Sequence, residues 1–147
     1  MESRPPQGPE DVVGAWTLVG MERIDFETGD LDPGAFSSSP RGMLIYTAGG
    51  HMWVHAEHGE GRPALIPDHV AAPKADKARA TETMITYGGR YRVEDGAVVH
   101  VVDMSWDPGY VGQEHVRHAT LAGDRLTLHR ASADGHPGWN IHWRRIE

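Results

Sequence analysis

Histidine, tyrosine and arginine are the side chains of this 147-residue chain that are best suited to chemistry. The chain has ten histidines, and an imidazole titrates near neutral pH, so a histidine in a pocket can act as a general acid or base. The absence of cysteine excludes disulfides, cysteine-ligated zinc and thiol catalysis. The sequence also contains no phosphate-binding loop, dinucleotide fingerprint or Gly-x-Ser-x-Gly elbow. It therefore predicts chemistry without a cofactor.

Charge and hydropathy limit the class of partner. The formal net charge of −7 argues against a general nucleic-acid binder. No apolar run approaches the roughly 20 residues that a membrane span requires, and the first residues lack the apolar core of a signal peptide. We therefore predict a cytoplasmic protein with no nucleic-acid or membrane partner, whose exposed strand faces would permit a homodimer.

Short β-strands must position these side chains. Glycine and proline, 18 and 10 residues, are too frequent for a helical bundle. Turn pairs such as Gly49-Gly50 and Asp95-Gly96 suit tight hairpins, so the strands they join are antiparallel. The eight predicted strands cover residues 14–24, 42–47, 51–57, 84–93, 97–106, 112–121, 125–130 and 139–146.

Eight antiparallel strands in chain order form an up-and-down sheet, which removes its free edges by closing into a barrel. A barrel of about eight strands has room inside for side chains or one small ligand. Residues 73–80 predict a short helix beginning at Pro73, and residues 9–13 one helical turn. We predict an all-β, eight-stranded antiparallel up-and-down barrel with one short helix over residues 10–147, after a disordered leader at residues 1–9.

Alternation along each strand assigns side chains to the interior, since neighbouring residues face opposite sides. In 97–106 the even residues are bulkier and hold a single polar group, so we place them inside. That set is Val98, His100, Val102, Met104 and Trp106. In 84–93 the odd residues point inward, because the even ones include two arginines, which face water at far less cost. This second set includes Tyr87, Tyr91 and Val93.

In two other strands the sequence shows less clearly which face points into the barrel. In 112–121 we place the odd residues His115 and Arg117 inside, because Ala119 and Leu121 anchor that face. In 51–57 two alternatives remain open for the lining of the cavity. They are His51, Trp53 and His55, or Met52, Val54 and Ala56. Aromatic side chains with polar tips are typical of a ligand cavity, so the predicted partner is a small apolar organic molecule.

Several motifs follow one another in a recognisable order. Gly14-Ala15-Trp16 is a Gly-x-Trp on the first strand, and Trp143-Arg144-Arg145 is a closing Trp-x-Arg. Between them lie Gly42-Met43-Leu44-Ile45-Tyr46-Thr47 with Gly50-His51-Met52, Tyr87-Gly88-Gly89-Arg90-Tyr91-Arg92-Val93, Val98-Val99-His100, Gly112-Gln113-Glu114-His115-Val116-Arg117 and Leu126-Thr127-Leu128. Together these segments resemble the bacterial and fungal lipocalin-like domain family, a group of calycin-type barrels.

The resemblance implies an eight-stranded barrel with a central cavity. Some lipocalin-like barrels of natural-product pathways act as cyclases or isomerases, including pericyclases. The resemblance also implies that an arginine stacks on the Gly-x-Trp tryptophan, Trp16, at the closed end. The candidates are Arg117, Arg144 and Arg145, of which we favour Arg145. This chain departs from the family pattern at His51, Trp53 and His55, which are bulkier, so a generic ligand is not assumed.

We predict a cofactor-independent cyclase or isomerase of secondary metabolism that holds an apolar, polyketide-like substrate by shape-enforced proximity. The predicted catalytic residues, which would polarise a substrate oxygen, are His100, Tyr91 and Arg117. The predicted substrate-binding residues are Tyr46, Trp53, His55, Tyr87, Val102, Met104 and His115. Each of the three catalytic candidates also has a purely structural interpretation, as a buried side chain with a satisfied polar group.

Two alternatives to an enzyme remain. The first is a non-catalytic carrier of a hydrophobic ligand. The second is a metal- or haem-binding barrel, in which His51 or His55 joins His100 or His115 across the interior; no metal ligand is assigned. Five further histidines are expected to face solvent or lie in loops: His58, His69, His118, His129 and His136.

Overall fold

The computed structural model describes residues 2–25, 27–63, 68–132 and 137–147. Nine strands lie in this part of the chain: β1 (Gly14–Ile24), β2 (Leu31–Asp32), β3 (Arg41–Tyr46), β4 (His51–Glu57), β5 (Met84–Glu94), β6 (Ala97–Ser105), β7 (Glu114–Ala122), β8 (Arg125–Arg130) and β9 (Gly138–Arg145). One α-helix, α1 (Lys74–Glu82), precedes β5. Single 3₁₀ turns lie at Pro9–Asp11, Pro33–Ala35 and Pro108–Tyr110.

The strands form one antiparallel sheet that closes on itself. From β3 to β9 each strand pairs with the next, and β1 pairs with both β3 and β9. The closing pair β1–β9 extends from Trp16 opposite Arg145 to Ile24 opposite Gly138. All eight predicted strands and the closed up-and-down barrel are therefore confirmed. The additional β2 pairs two residues with the end of β1 and is too short to show a periodicity.

The face of β4 that points inward is decided by the structure. Met52, Val54 and Ala56 are buried in the core, whereas Trp53 is 43% exposed and His51 and His55 lie on the same outer face. Trp53 lies opposite Gly88 of β5 and occupies the space that a side chain there would need. Trp53 and His55 are thus excluded from the cavity wall, contrary to the predicted substrate-binding set.

A β-bulge between β5 and β6 reverses the alternation of β6. Gly88 pairs with Met104, but the next residue, Gly89, pairs with Val102 and leaves Asp103 unpaired. Beyond the bulge the inward and outward positions exchange, so Met104 lies outside and is 63% exposed. The placement of Met104 in the cavity is therefore wrong, and the placement of Val98, His100 and Val102 inside is confirmed.

The helix α1 and the segment before β1 lie outside the closed sheet. In α1, Pro73 is the N-cap residue rather than the first helical residue, and no residue of the helix is buried. None of the helices in the described part of the chain is long and apolar enough to cross a membrane. In the segment predicted as a leader, Arg4 exchanges backbone hydrogen bonds with Leu121 and forms an ion pair with Asp11 at 2.9 Å. The disorder of residues 1–9 stays a prediction.

Candidate ligand-binding site inside the barrel

Three buried side chains from three strands form a hydrogen-bonded network, here called the Tyr–His–Tyr network. The Tyr46 hydroxyl lies 2.6 Å from His100 Nε2, and the Tyr87 hydroxyl lies 2.6 Å from His100 Nδ1. His100 is only 2% exposed, so both hydrogen bonds are shielded from water. Because both ring nitrogens are already bonded, His100 has no nitrogen free for a substrate. Its two hydrogen bonds fix the orientation of the Tyr46 and Tyr87 hydroxyl groups.

Burial keeps the Tyr–His–Tyr network uncharged. Burial lowers the pKa of His100 well below its ordinary value, and the nearby Arg117 and His115 lower it further. Burial also raises the pKa of Tyr46, and raises that of Tyr87 to about 12. At neutral pH the imidazole is therefore neutral and both phenols are protonated. One tyrosine donates to the unprotonated ring nitrogen, and the other accepts from the ring N–H.

Tyr91 does not join this network, although the alternation correctly places it inside. Its ring packs against Tyr46 with centroids 4.7 Å apart, and its hydroxyl donates to the Thr47 carbonyl at 2.7 Å. The hydroxyl groups bonded to His100 are therefore those of Tyr46 and Tyr87, and the catalytic role of Tyr91 stays a prediction. Tyr91 lies opposite His100 in the strand register, but its long side chain carries the hydroxyl past the imidazole.

The network borders a small enclosed space, here called the inner cavity, of about 60 Å³. Its apolar wall consists of Leu44, Val54, Ala56, Ile85, Leu128 and Ile141. Its polar and aromatic wall consists of Tyr87, His100, Tyr110, Arg117, Arg130, Trp139 and Trp143. Of the predicted substrate-binding residues, only Tyr87 borders this cavity. Tyr46, Val102 and His115 are buried elsewhere in the interior.

A second space, here called the mouth groove, lies between the end of α1 and the Pro108–Tyr110 turn and measures about 510 Å³. Ile85 and Tyr110 line both the mouth groove and the inner cavity, so these two side chains separate them. Tyr110 is held by ring contacts with Trp106 and His115, at centroid distances of 5.0 and 4.7 Å. Alternation along strands did not indicate Tyr110, because it lies in a turn.

Arg117 lies in the inner-cavity wall, as the odd-residue face of β7 predicted. Its guanidinium stacks over the Trp139 ring at 4.7 Å. Burial lowers its pKa, although an arginine stays protonated in proteins. Within the described ranges no carboxylate pairs with Arg117, and the groups that act on its pKa are tyrosines and Arg130.

The opposite end of the barrel is closed by Arg145. Its guanidinium stacks over Trp16 at 4.2 Å and donates to the backbone carbonyls of Val13 and Asp11. Trp16 is fully buried, and its indole N–H donates to the Val12 carbonyl at 2.9 Å. The structural role expected of Arg145 is confirmed, and Arg144 lies exposed beside it.

A family model described as a lipocalin-like domain matches residues 13–146. The chain belongs to the lipocalin-like domain family. A crystal structure of a mutant of the fluorescent protein UnaG also matches this lipocalin-like domain, at 15% sequence identity. The match covers 93% of this chain and 97% of that chain, with a TM-score of 0.42, a likeness too loose to bear on function. No protein of curated function matches the chain.

Three histidines in the described part of this lipocalin-like domain are hydrogen-bonded on the outer face: His55, His129 and His142. His55 contacts Glu57 at 3.0 Å, and His142 bridges Glu22 at 2.8 Å and Thr127 at 3.0 Å. His51 and His55 thus lie outside, away from His100 and His115, and the cluster needed for the metal alternative is not formed. No group of three metal-ligating side chains occurs among the residues that the structure describes.

The five histidines expected to face solvent or lie in loops differ in how exposed they are. His69 and His118 are exposed, as expected. His58 and His129 are half-buried, and they contact Phe36 and Asn140 respectively. His136 lies outside the described residues.

Tyr87→Phe is expected to lower the free energy of unfolding of this lipocalin-like domain by about 2 kcal/mol, because it leaves a buried nitrogen of His100 without a partner. Tyr91→Phe is the control, since it removes a hydroxyl that bonds only a backbone carbonyl near the surface. It is expected to cost about 1 kcal/mol or less. Urea unfolding of both variants checks the difference. A cost for Tyr87→Phe no larger than that for Tyr91→Phe would show that the network does not hold His100.

Proposed function

We propose that this lipocalin-like domain takes up a small apolar molecule through the mouth groove and isomerises or cyclises it in the barrel. A polyketide-like intermediate of secondary metabolism is the proposed substrate class. The observation that carries the proposal is the Tyr87 hydroxyl, held by His100 at 2.6 Å on the wall of a mainly apolar cavity. A hydrogen-bond donor oriented before the substrate arrives can polarise a carbonyl or enol oxygen at little reorganisation cost.

The direction of the hydrogen bonds follows from that role. Tyr46 donates to Nε2 of His100, the Nδ1–H of His100 donates to the Tyr87 oxygen, and the Tyr87 hydroxyl is then free to donate to the substrate. Successive donors that point the same way strengthen one another. In this arrangement Tyr87 is the catalytic residue, while His100 and Tyr46 are positioning residues. No proton needs to leave the protein, in keeping with the pKa of about 12 for Tyr87.

The sizes of the two spaces determine how a substrate would enter. The inner cavity, at about 60 Å³, holds roughly two water molecules. An organic substrate must therefore displace Ile85 or Tyr110, or extend past them into the mouth groove of about 510 Å³. In the proposed reaction, the enclosed walls bring the reacting ends of the substrate together and supply proximity.

Isomerisation and cyclisation conserve mass, which gives a direct test. The protein is incubated with a small-molecule extract of its source organism, and liquid chromatography with mass spectrometry compares the extract before and after. The expected result is loss of one species and gain of another with the same mass and a different retention time. Tyr87→Phe should slow this conversion by about tenfold or more, and Tyr91→Phe should not. Equal rates for both variants would contradict the role of Tyr87.

A carrier is the second candidate, favoured by a specific observation. Both nitrogens of His100 are occupied and the network is uncharged at neutral pH, so the interior can hold a ligand by a hydrogen bond without reacting with it. A carrier would retain one species in stoichiometric amount with unchanged mass and retention time, which native mass spectrometry detects. If the extract yields neither a conversion nor a retained species, both candidate functions are wrong.

A further inference from the structure

In the wall of the inner cavity, one indole N–H lacks an acceptor and one guanidinium lacks a counter-ion within the described part of the chain. Trp143 is 1% exposed, borders the cavity, and its indole Nε1–H has no hydrogen-bond acceptor. Arg117 borders the same cavity and has no carboxylate partner. Both groups are hydrogen-bond donors without acceptor capacity. The wall therefore offers donors in two places where a closed protein core would supply acceptors.

An unpaired charge in the interior is costly, because burial removes its water without supplying a counter-ion. Arg145, at the other end of the same barrel, shows how this fold satisfies a half-buried guanidinium, with two backbone carbonyls and the Trp16 ring. Arg117 has the corresponding ring, Trp139, and donates to the Val116 carbonyl beside it at 3.3 Å. Its guanidinium also lies beside the Tyr87 hydroxyl and partly offsets the rise that burial causes in the pKa of that phenol, but Tyr87 is neutral and supplies no counter-ion. The second cation in the wall, Arg130, adds to the positive potential of the cavity.

We propose that the molecule bound in the barrel carries an anionic oxygen group, a carboxylate or an enolate, which pairs with Arg117 in the inner cavity. This inference deepens the proposed function and rests on it, because it assumes that the barrel takes up a small molecule. An inner cavity of about 60 Å³ matches such a headgroup, whose size is similar to that of two waters. The apolar remainder of the molecule extends past Ile85 and Tyr110 into the mouth groove, and the Trp143 N–H supplies a second donor.

Two fluorescent probes that differ only in the headgroup test this inference. Pyrenebutyrate carries a carboxylate, and pyrenebutanol carries a hydroxyl on the same apolar body. We expect the wild-type protein to bind pyrenebutyrate about tenfold more tightly at pH 7, the magnitude of a charge-assisted hydrogen bond. This comparison needs no variant. Equal affinity for the two probes would overturn the inference and leave the proposed uptake intact, whereas failure of both probes to bind would overturn the uptake and the inference together.

Three variants test which side chains produce the preference for pyrenebutyrate over pyrenebutanol. Arg117→Gln should abolish it while leaving the affinity for pyrenebutanol within about twofold, and Arg144→Gln, which removes an exposed charge, should change neither affinity. Trp143→Phe keeps an aromatic ring, although a smaller one, and removes the N–H, so it should weaken the binding of pyrenebutyrate by about threefold or more relative to that of pyrenebutanol. A preference that survives Arg117→Gln would contradict the assignment of that residue.

A further variant tests whether the chain itself supplies the counter-ion of Arg117. It replaces Asp134, a carboxylate outside the described residues. Asp134→Asn is expected to leave both affinities unchanged. Tighter binding of pyrenebutyrate by this variant would show that the chain supplies its own counter-ion to the cavity, which would overturn the inference.

Discussion

Arg145→Ala is expected to lower the free energy of unfolding by about 3 kcal/mol. The substitution removes the cation stacked on Trp16 and leaves the backbone carbonyls of Val13 and Asp11 without their donor. Because Arg145 lies opposite Trp16 in the pair of strands that closes the barrel, the loss weakens the closure itself. Urea unfolding followed by tryptophan fluorescence measures the change.

Arg144→Ala is the matched control, since it removes the same side chain from the same strand on the exposed face. Its cost is expected to stay within about 0.5 kcal/mol. Arg145→Lys separates charge from shape, because lysine keeps the cation and loses the planar fork that reaches two carbonyls. It should recover less than half of the loss. Similar costs for Arg144→Ala and Arg145→Ala would show that the cap over Trp16 does not stabilise the barrel.

Lowering the pH from 6.5 to 5 is expected to reduce the free energy of unfolding by about 3 kcal/mol. Burial lowers the pKa of His100 well below its ordinary value and that of His115 to about 4. Between pH 6.5 and 4 the unfolded chain therefore binds protons that the folded chain excludes. Stability is complete above the unfolded pKa of about 6.5 and declines as the pH falls toward the folded values. Each strongly shifted histidine contributes up to about 1.4 kcal/mol per pH unit.

The window above pH 5 avoids the carboxylates, which are ionised in the folded and unfolded chain alike. His58, whose pKa is also lowered by burial, adds to the slope in the same direction. His115→Gln should flatten the dependence of stability on pH by about a third to a half, even where it changes stability at pH 7. His118→Gln, an exposed histidine of the same strand, should leave the slope unchanged. A slope that does not respond to His115→Gln would contradict the burial of that imidazole in its neutral form.

The two half-buried arginines that stack on tryptophans serve opposite purposes in this barrel. Arg145 has its donors satisfied by backbone carbonyls and closes one end. Arg117, near the mouth, has a tryptophan ring but no counter-ion among the described residues. Stability accounts for the first arrangement. The second leaves a cation without a counter-ion, which the proposed acidic ligand would supply.

Local patterns predicted the framework of the site well. Turn pairs and short apolar runs located all eight strands of the closed barrel, because hairpin geometry depends on two or three adjacent residues. Alternation placed His100, Tyr87 and Arg117 inside, since a strand offers only two faces. The family resemblance carried by the Gly-x-Trp and Trp-x-Arg motifs implied the contact between Trp16 and Arg145, although the two residues lie at opposite ends of the chain.

The partners of each inward side chain emerged only from the folded barrel. Alternation gives the side of the sheet but neither the reach of a side chain nor the register across strands, so it could not choose Tyr46 and Tyr87 over Tyr91 as the neighbours of His100. The bulge at Asp103, which moves Met104 outside, depends on how β5 and β6 pair. The orientation of Trp53 depends on the space above Gly88 of the neighbouring strand. Each of these outcomes is set by contacts between strands, whereas hydrophobic alternation is a property of a single strand.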